Sequence, residues 1–106
     1  MHKIVFILFF LSLTVINAQN NLLAENYFEQ GEYEKALTLY TQLYKKNKNF
    51  NYFKAIVASH QQLEDYKEAE KLLKERLNIK IIPQLYVELG YNYSLQENDS
   101  LATINY

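Results

Sequence analysis

Ala36, Ala69 and Ala102 recur at a spacing of 33 residues, and the residues around them recur with them. At the same offset Tyr33 falls on Tyr66, Leu23 on Ile56 and Leu89, and Ala24 on Val57 and Gly90. Tyr27, His60 and Tyr93 align, as do Tyr40, Leu73 and Tyr106. Few of these are identities. What repeats is side-chain size: large apolar, small, aromatic, small, large. A period of this length marks an array in which one supersecondary unit is stacked on the next. The small residues say which unit. An alanine on an otherwise bulky helix lets a second helix come within the roughly 8–10 Å of ridge-in-groove packing.

Each period holds two helical patterns and a break. In the first, Leu22, Leu23, Asn26 and Tyr27 lie on one stripe, and the break is Gly31-Glu32. Tyr33, Ala36, Leu37, Tyr40, Leu43 and Tyr44 then follow at helical spacing. Gly31 suits a helix end, because it takes left-handed backbone angles without a Cβ clash. In the second period the pattern predicts helices from about Phe50 to Leu63 and from about Tyr66 to Leu77. The third opens at Pro83, whose φ is already set for a first helical turn, and is expected to run to about Gln96. A final helix is expected from Asp99 as N-cap. Ile79-Lys80-Ile81-Ile82 reads as the linker between the second and third units.

The pattern resembles the tetratricopeptide repeat (TPR). Leu23-Ala24, Tyr27, Gly31, Tyr33, Ala36, Tyr40 and Leu43 fall where that motif has large-small, aromatic, glycine, aromatic, alanine, aromatic and a closing apolar residue. The third unit shows the same start in Tyr86, Leu89-Gly90 and Tyr93. The second keeps Tyr66 and Ala69 but has His60 at the aromatic place and Glu64 where glycine is usual. The period is one short of the family's usual length of about 34. The proline that normally follows the second helix is missing from the first unit and displaced to Pro83 in the second. The resemblance implies an all-α, right-handed solenoid of antiparallel helix pairs, about two and a half repeats long: 19–49, 50–82 and a partial 83–106. In such an array Leu23, Ala24, Tyr27, Gly31, Tyr33, Ala36, Tyr40, Ile56, Tyr66, Ala69, Leu73, Leu89, Gly90, Tyr93 and Ala102 are structural positions.

Residues 1–18 read as a secretory signal peptide. His2 and Lys3 form a positive start, Ile4 to Ile16 an apolar run, and Asn17-Ala18 a small-residue cleavage site before Gln19. The run is short of the roughly 20 apolar residues a membrane span needs. The expectation is therefore an exported chain, periplasmic, envelope-associated or extracellular, that meets the membrane only through this segment before cleavage.

Composition removes several function classes. With no cysteine there is no disulfide framework, thiol nucleophile or Cys-bearing zinc site. Lys and Arg number 11 against 12 acids, interspersed, so there is no basic stripe for nucleic acid. Gly31 and Gly90 are the two glycines, so no phosphate-cradling loop exists. His60 takes the place of a packing tyrosine, and neither a carboxylate nor a second histidine is positioned with it on the helix. Glu68, Glu70, Lys71, Lys74 and Glu75 read as a solvated helix face with weak i,i+3 and i,i+4 pairs.

The sequence thus points to a non-enzymatic scaffold without metal or cofactor, whose partners are other proteins rather than small-molecule substrates or nucleic acid. The family resemblance implies that the first helix of each unit lines a concave groove. By register this would show Asn21, Glu25 and Phe28, then Lys54, Ala58 and Gln61, then Val87, Tyr91 and Ser94. The third unit stops about two turns into its second helix with no capping helix, which reads as the start of a longer protein. The alternative to a scaffold is that the array is the sensory or docking N-terminal segment of a larger envelope enzyme or signalling protein.

Overall fold

A computed structural model describes the backbone of residues 20–105 and the side chains of residues 20–99. The segment 1–18 expected to be a signal peptide, Tyr106 and the side chain of Ala102 lie outside the described residues. Five helices occupy the described chain: α1 (20–29), α2 (Tyr33–Lys46), α3 (Phe50–Gln62), α4 (Tyr66–Ile79) and α5 (Pro83–Asn105). No strand occurs among the described residues.

The 33-residue period is written into the backbone. α2 and α4 are each 14 residues long and begin at Tyr33 and Tyr66; α3 and α5 begin at Phe50 and Pro83. The turns between paired helices match bond for bond. After α1, the Gly31 N–H donates to the Phe28 carbonyl (3.1 Å) and the Glu32 N–H to the Tyr27 carbonyl (2.8 Å). After α3, the Glu64 N–H donates to the Gln61 carbonyl (3.0 Å) and the Asp65 N–H to the His60 carbonyl (2.8 Å). This pair of bonds, spanning three and five residues, is a Schellman cap, and it needs one left-handed residue. Gly31 supplies it at φ 81° and Glu64 at φ 61°. The Glu32 and Asp65 side chains make no cap bond to the helices they precede. Their carbonyls instead accept the N–H groups of Ala36 and Ala69. α3 is capped differently: Asn49 Oδ1 accepts the Asn51 N–H at 2.7 Å, satisfying a first-turn donor.

The described chain divides into two units between Phe53 and Lys54, inside α3. In the first, Ala24 and Ala36 are fully buried, and Tyr40 and Leu43 nearly so. Aromatic rings fill the space around these small residues. Phe28 meets Tyr33 edge-on with centroids 5.1 Å apart, Tyr40 lies 6.4 Å from Tyr52, and Tyr44 lies 6.1 Å from Phe53. Lys35 Nζ sits 5.5 Å from the Tyr27 ring centroid, held also by Glu32 at 3.1 Å.

In the second unit Ile56, Val57, Ala69, Leu73 and Leu85 are buried, and α5 packs against α4. Full burial of Leu73 and of Leu85 contributes about 1.5–3 kcal/mol each. Leu85, Leu89, Asn92, Leu95 and Gln96 form the inward stripe of α5.

One expected boundary is corrected here. The sequence led us to expect a break after Gln96 and a new helix capped by Asp99, but α5 runs through both without interruption for 23 residues. The reason lies in the turn. Position 97, one period after Glu64, is another glutamate rather than glycine. A left-handed non-glycine residue costs roughly 1–2 kcal/mol, and neither glycine nor proline in 91–99 stops the helix. Leu95 and Gln96 are half-buried on the inward stripe, so continuing the helix keeps their contacts.

Candidate interaction surfaces

The interior of the second unit is tied by amides. Asn92 is fully buried on α5. Its Nδ2 donates to the Tyr66 carbonyl in the first turn of α4 at 2.9 Å, and its Oδ1 accepts Gln61 Nε2 from the end of α3 at 3.2 Å. One side chain thus joins three helices, which sets the rotation of α5 and decides which of its residues face outward. Gln61, expected on the groove, is buried and engaged here instead. Ser59, also buried, donates back to the Ala55 carbonyl at 2.8 Å.

A second tie lies at the surface. Tyr93 Oη donates to Glu70 Oε1 at 2.8 Å, and Lys74 Nζ lies 2.7 Å from the same oxygen. The Lys74 ammonium, and after it the Tyr93 hydroxyl, hold the Glu70 carboxyl below its ordinary range. Glu70 in turn raises Lys74. Of the charged series on α4, the Glu70–Lys74 pair thus forms at the i,i+4 spacing.

His60 has a carboxylate neighbour that spacing along a helix does not suggest. Its Nδ1, buried and without a hydrogen bond, lies 3.6 Å from Asp65 Oδ2, five residues on. The Schellman turn folds the chain back and brings Asp65 there. No group of three or more His, Asp or Glu side chains suited to hold a metal occurs among the described residues.

The remaining groove positions are placed unit by unit. In the first, Asn21 and Phe28 are half-buried and Glu25 is exposed. In the second, Lys54 is exposed and Ala58 half-buried. On α5, Val87 (70%), Tyr91 (54%) and Ser94 are exposed at i, i+4, i+7 spacing and form one outward stripe. Tyr86 (55%) and Tyr93 (42%) are exposed as well, although the sequence reading gave them packing roles. Leu23 is likewise exposed, and a Cβ added at Gly90 would meet nothing within 4 Å.

What these surfaces offer is apolar and aromatic area with hydroxyl tips. Compared with protein-family models, curated proteins and solved structures, the chain matches none.

Proposed function

We propose that this chain is an exported helical-repeat protein of TPR type that holds another protein and carries out no chemistry itself. The observation that carries this reading is the outward stripe Val87, Tyr91 and Ser94 on α5, whose rotation Asn92 fixes from the inside. Aromatic residues presented on a rigid helix bury large area at little entropic cost, which favours binding of an extended segment or a helix. The repeated helix–turn–helix geometry supports the family assignment, because two consecutive units share helix lengths and both bonds of the cap. Export rests on the apolar run of residues 4–16 behind Lys3.

The test is photocrosslinking in the native host. A crosslinking amino acid at Tyr91 is expected to give a discrete adduct of one protein, and one at Lys71 on α4 to give none. Val87→Asp is expected to abolish the Tyr91 adduct while leaving the helical circular dichroism unchanged. The absence of any reproducible adduct at Tyr91 would remove the reading. Export is checked separately, by whether the N-terminus of the accumulated protein is Gln19.

A further inference from the structure

The charges of this chain balance overall but not along its length. Residues 35–63 hold five lysines and no acidic residue. Three of those lysines, Lys45, Lys46 and Lys48, crowd the corner where α2 ends and α3 begins. All three are exposed, and none forms an ion pair with a described residue. Lysines elsewhere do: Glu32 holds Lys35, and Glu70 holds Lys74. Lys48 instead lies over the half-buried Tyr44 ring, with Nζ 4.6 Å from the centroid. The α2 dipole accounts for a lysine in its last turn, but not for the loss of every counter-charge from residues 35–63.

The other end of the first unit is acidic. Glu29, Glu32 and Glu34 are exposed around the turn between α1 and α2, roughly 20 Å away along the 14 residues of α2. From that turn the two helices run antiparallel: Phe28 meets Tyr33, Tyr27 meets Lys35, and Tyr40 feels the charge of Glu25. The same progression brings the start of α1, at residue 20, to the end of α2. The chain thus enters the fold at the lysine corner, directly after the segment 1–18 read as its export signal.

We propose that this corner docks the first unit on an anionic membrane surface, with Lys45, Lys46 and Lys48 among the lipid phosphates. This goes beyond the expectation that only residues 1–18 meet the membrane, and it rests on the export reading for what brings the chain there. Two observations select a lipid surface over another polyanion. The apolar run 4–16 leads into the fold at this corner, so the lysines arrive beside the bilayer that the run addresses. Tyr44, half-buried beneath Lys48, is an amphipathic ring of the kind that collects at membrane interfaces. The acidic turn then points away from the surface, so the charge of the unit orients it. The docking is separate from the stripe on α5 proposed for a partner protein.

The protein purified from its host is expected to sediment with vesicles of equal parts phosphatidylglycerol and phosphatidylcholine. High salt should release it, because exposed charges are screened. At roughly fivefold per lysine, the variant K45Q/K46Q/K48Q is expected to bind these vesicles about a hundredfold more weakly. K35Q/K67Q/K71Q removes the same charge from exposed positions away from the corner and is expected to stay close to the parent. Helical circular dichroism should be unchanged in both, since surface substitutions of this kind cost little. Absence of vesicle binding overturns the proposal, as does binding indifferent to phosphatidylglycerol or an equal loss in the two triple variants. So does tighter lysine-dependent binding to duplex DNA than to the vesicles, which would make nucleic acid the occupant. The N-terminal sequence of the accumulated protein tests export separately, so the two readings fail independently.

Discussion

Gly31 and Glu64 stand one period apart in the same left-handed conformation, at φ 81° and φ 61°, and each closes a Schellman cap. The two residues do the same work with different side chains, and only glycine does it without steric cost. Glu64→Gly is therefore expected to stabilise the protein by about 1 kcal/mol, partly offset by the greater freedom of glycine in the unfolded chain. Gly31→Ala is expected to destabilise it by a similar amount. A Cβ at Gly31 would touch nothing, so that cost is conformational rather than a clash. Urea midpoints of the two variants, moving in opposite directions, are the check.

Ala36 and Ala69 are both fully buried on the second helices of their units. If the repeat depends on small residues at these places, enlarging them must force the packed surface apart. Ala36→Leu and Ala69→Leu are each expected to cost about 1–3 kcal/mol, the usual range for overpacking. Lys71→Leu, at an exposed position two residues beyond Ala69, should stay within about 0.5 kcal/mol of the parent. Equal effects at positions 69 and 71 would contradict the packing role of the alanines.

The helix pairs were legible in the sequence because backbone period and side-chain size report the same thing. Tyr33, Phe50, Tyr66 and Pro83 open helices where the pattern places them. The end of α5 was not legible. A turn at Gln96–Glu97–Asn98 and a continuing helix differ by the cost of one left-handed residue against a few half-buried contacts, and residue identity alone does not decide between such close terms. The amide tie was hidden for a different reason. Asn92 and Gln61 are ordinary surface residues by type, and only the assembled helices show that they bury each other's polar groups. Asp65 was missed beside His60 because helical spacing does not describe a chain that has just turned back.

Asn92 carries two bonds inside the second unit, so its removal leaves the Gln61 amide and one acceptor site on the Tyr66 carbonyl without a partner. Asn92→Ala is expected to cost about 1–3 kcal/mol for the unsatisfied groups, with a smaller addition for lost packing. Gln61→Ala should cost less, because Asn92 keeps its bond to Tyr66. The double variant is expected to be more stable than the sum of the two predicts, since the Gln61–Asn92 bond is lost once rather than twice. Additive effects would show that the two amides do not depend on each other.

Tyr40 should ionise late in the folded protein. Burial pushes its phenol above the ordinary 10.0, and the charges of Glu25 and Glu29 push in the same direction. A pKa raised by folding means that the protonated form is favoured in the fold. The stability linked to it is whole below pH 10 and is lost as pH climbs through the folded value. Following phenolate absorbance in native and urea-unfolded protein is expected to show a late-titrating tyrosine that Tyr40→Phe removes. Tyr66, raised first by burial, should remain as a second late component. A native titration curve that superimposes on the unfolded one would refute this.

Glu70 gives the acid side of the same linkage. Its carboxyl is held below 4.5 by Lys74 first and by Tyr93 second. A lowered folded pKa means that the charged form is favoured in the fold, so the associated stability is present above pH 4.5 and disappears as pH falls through the folded value. Glu70 is half-buried and its Lys74 partner exposed, so salt and water screen the effect, and raising ionic strength should shrink it. Glu70→Gln is expected to flatten the part of the stability–pH curve that lies below pH 4.5. Lys74→Met should move the Glu70 titration, read by NMR, back toward 4.5 by more than Tyr93→Phe does, since the ammonium is the larger cause. The opposite order would mean that the phenol from α5, rather than the lysine one turn along α4, governs this carboxylate.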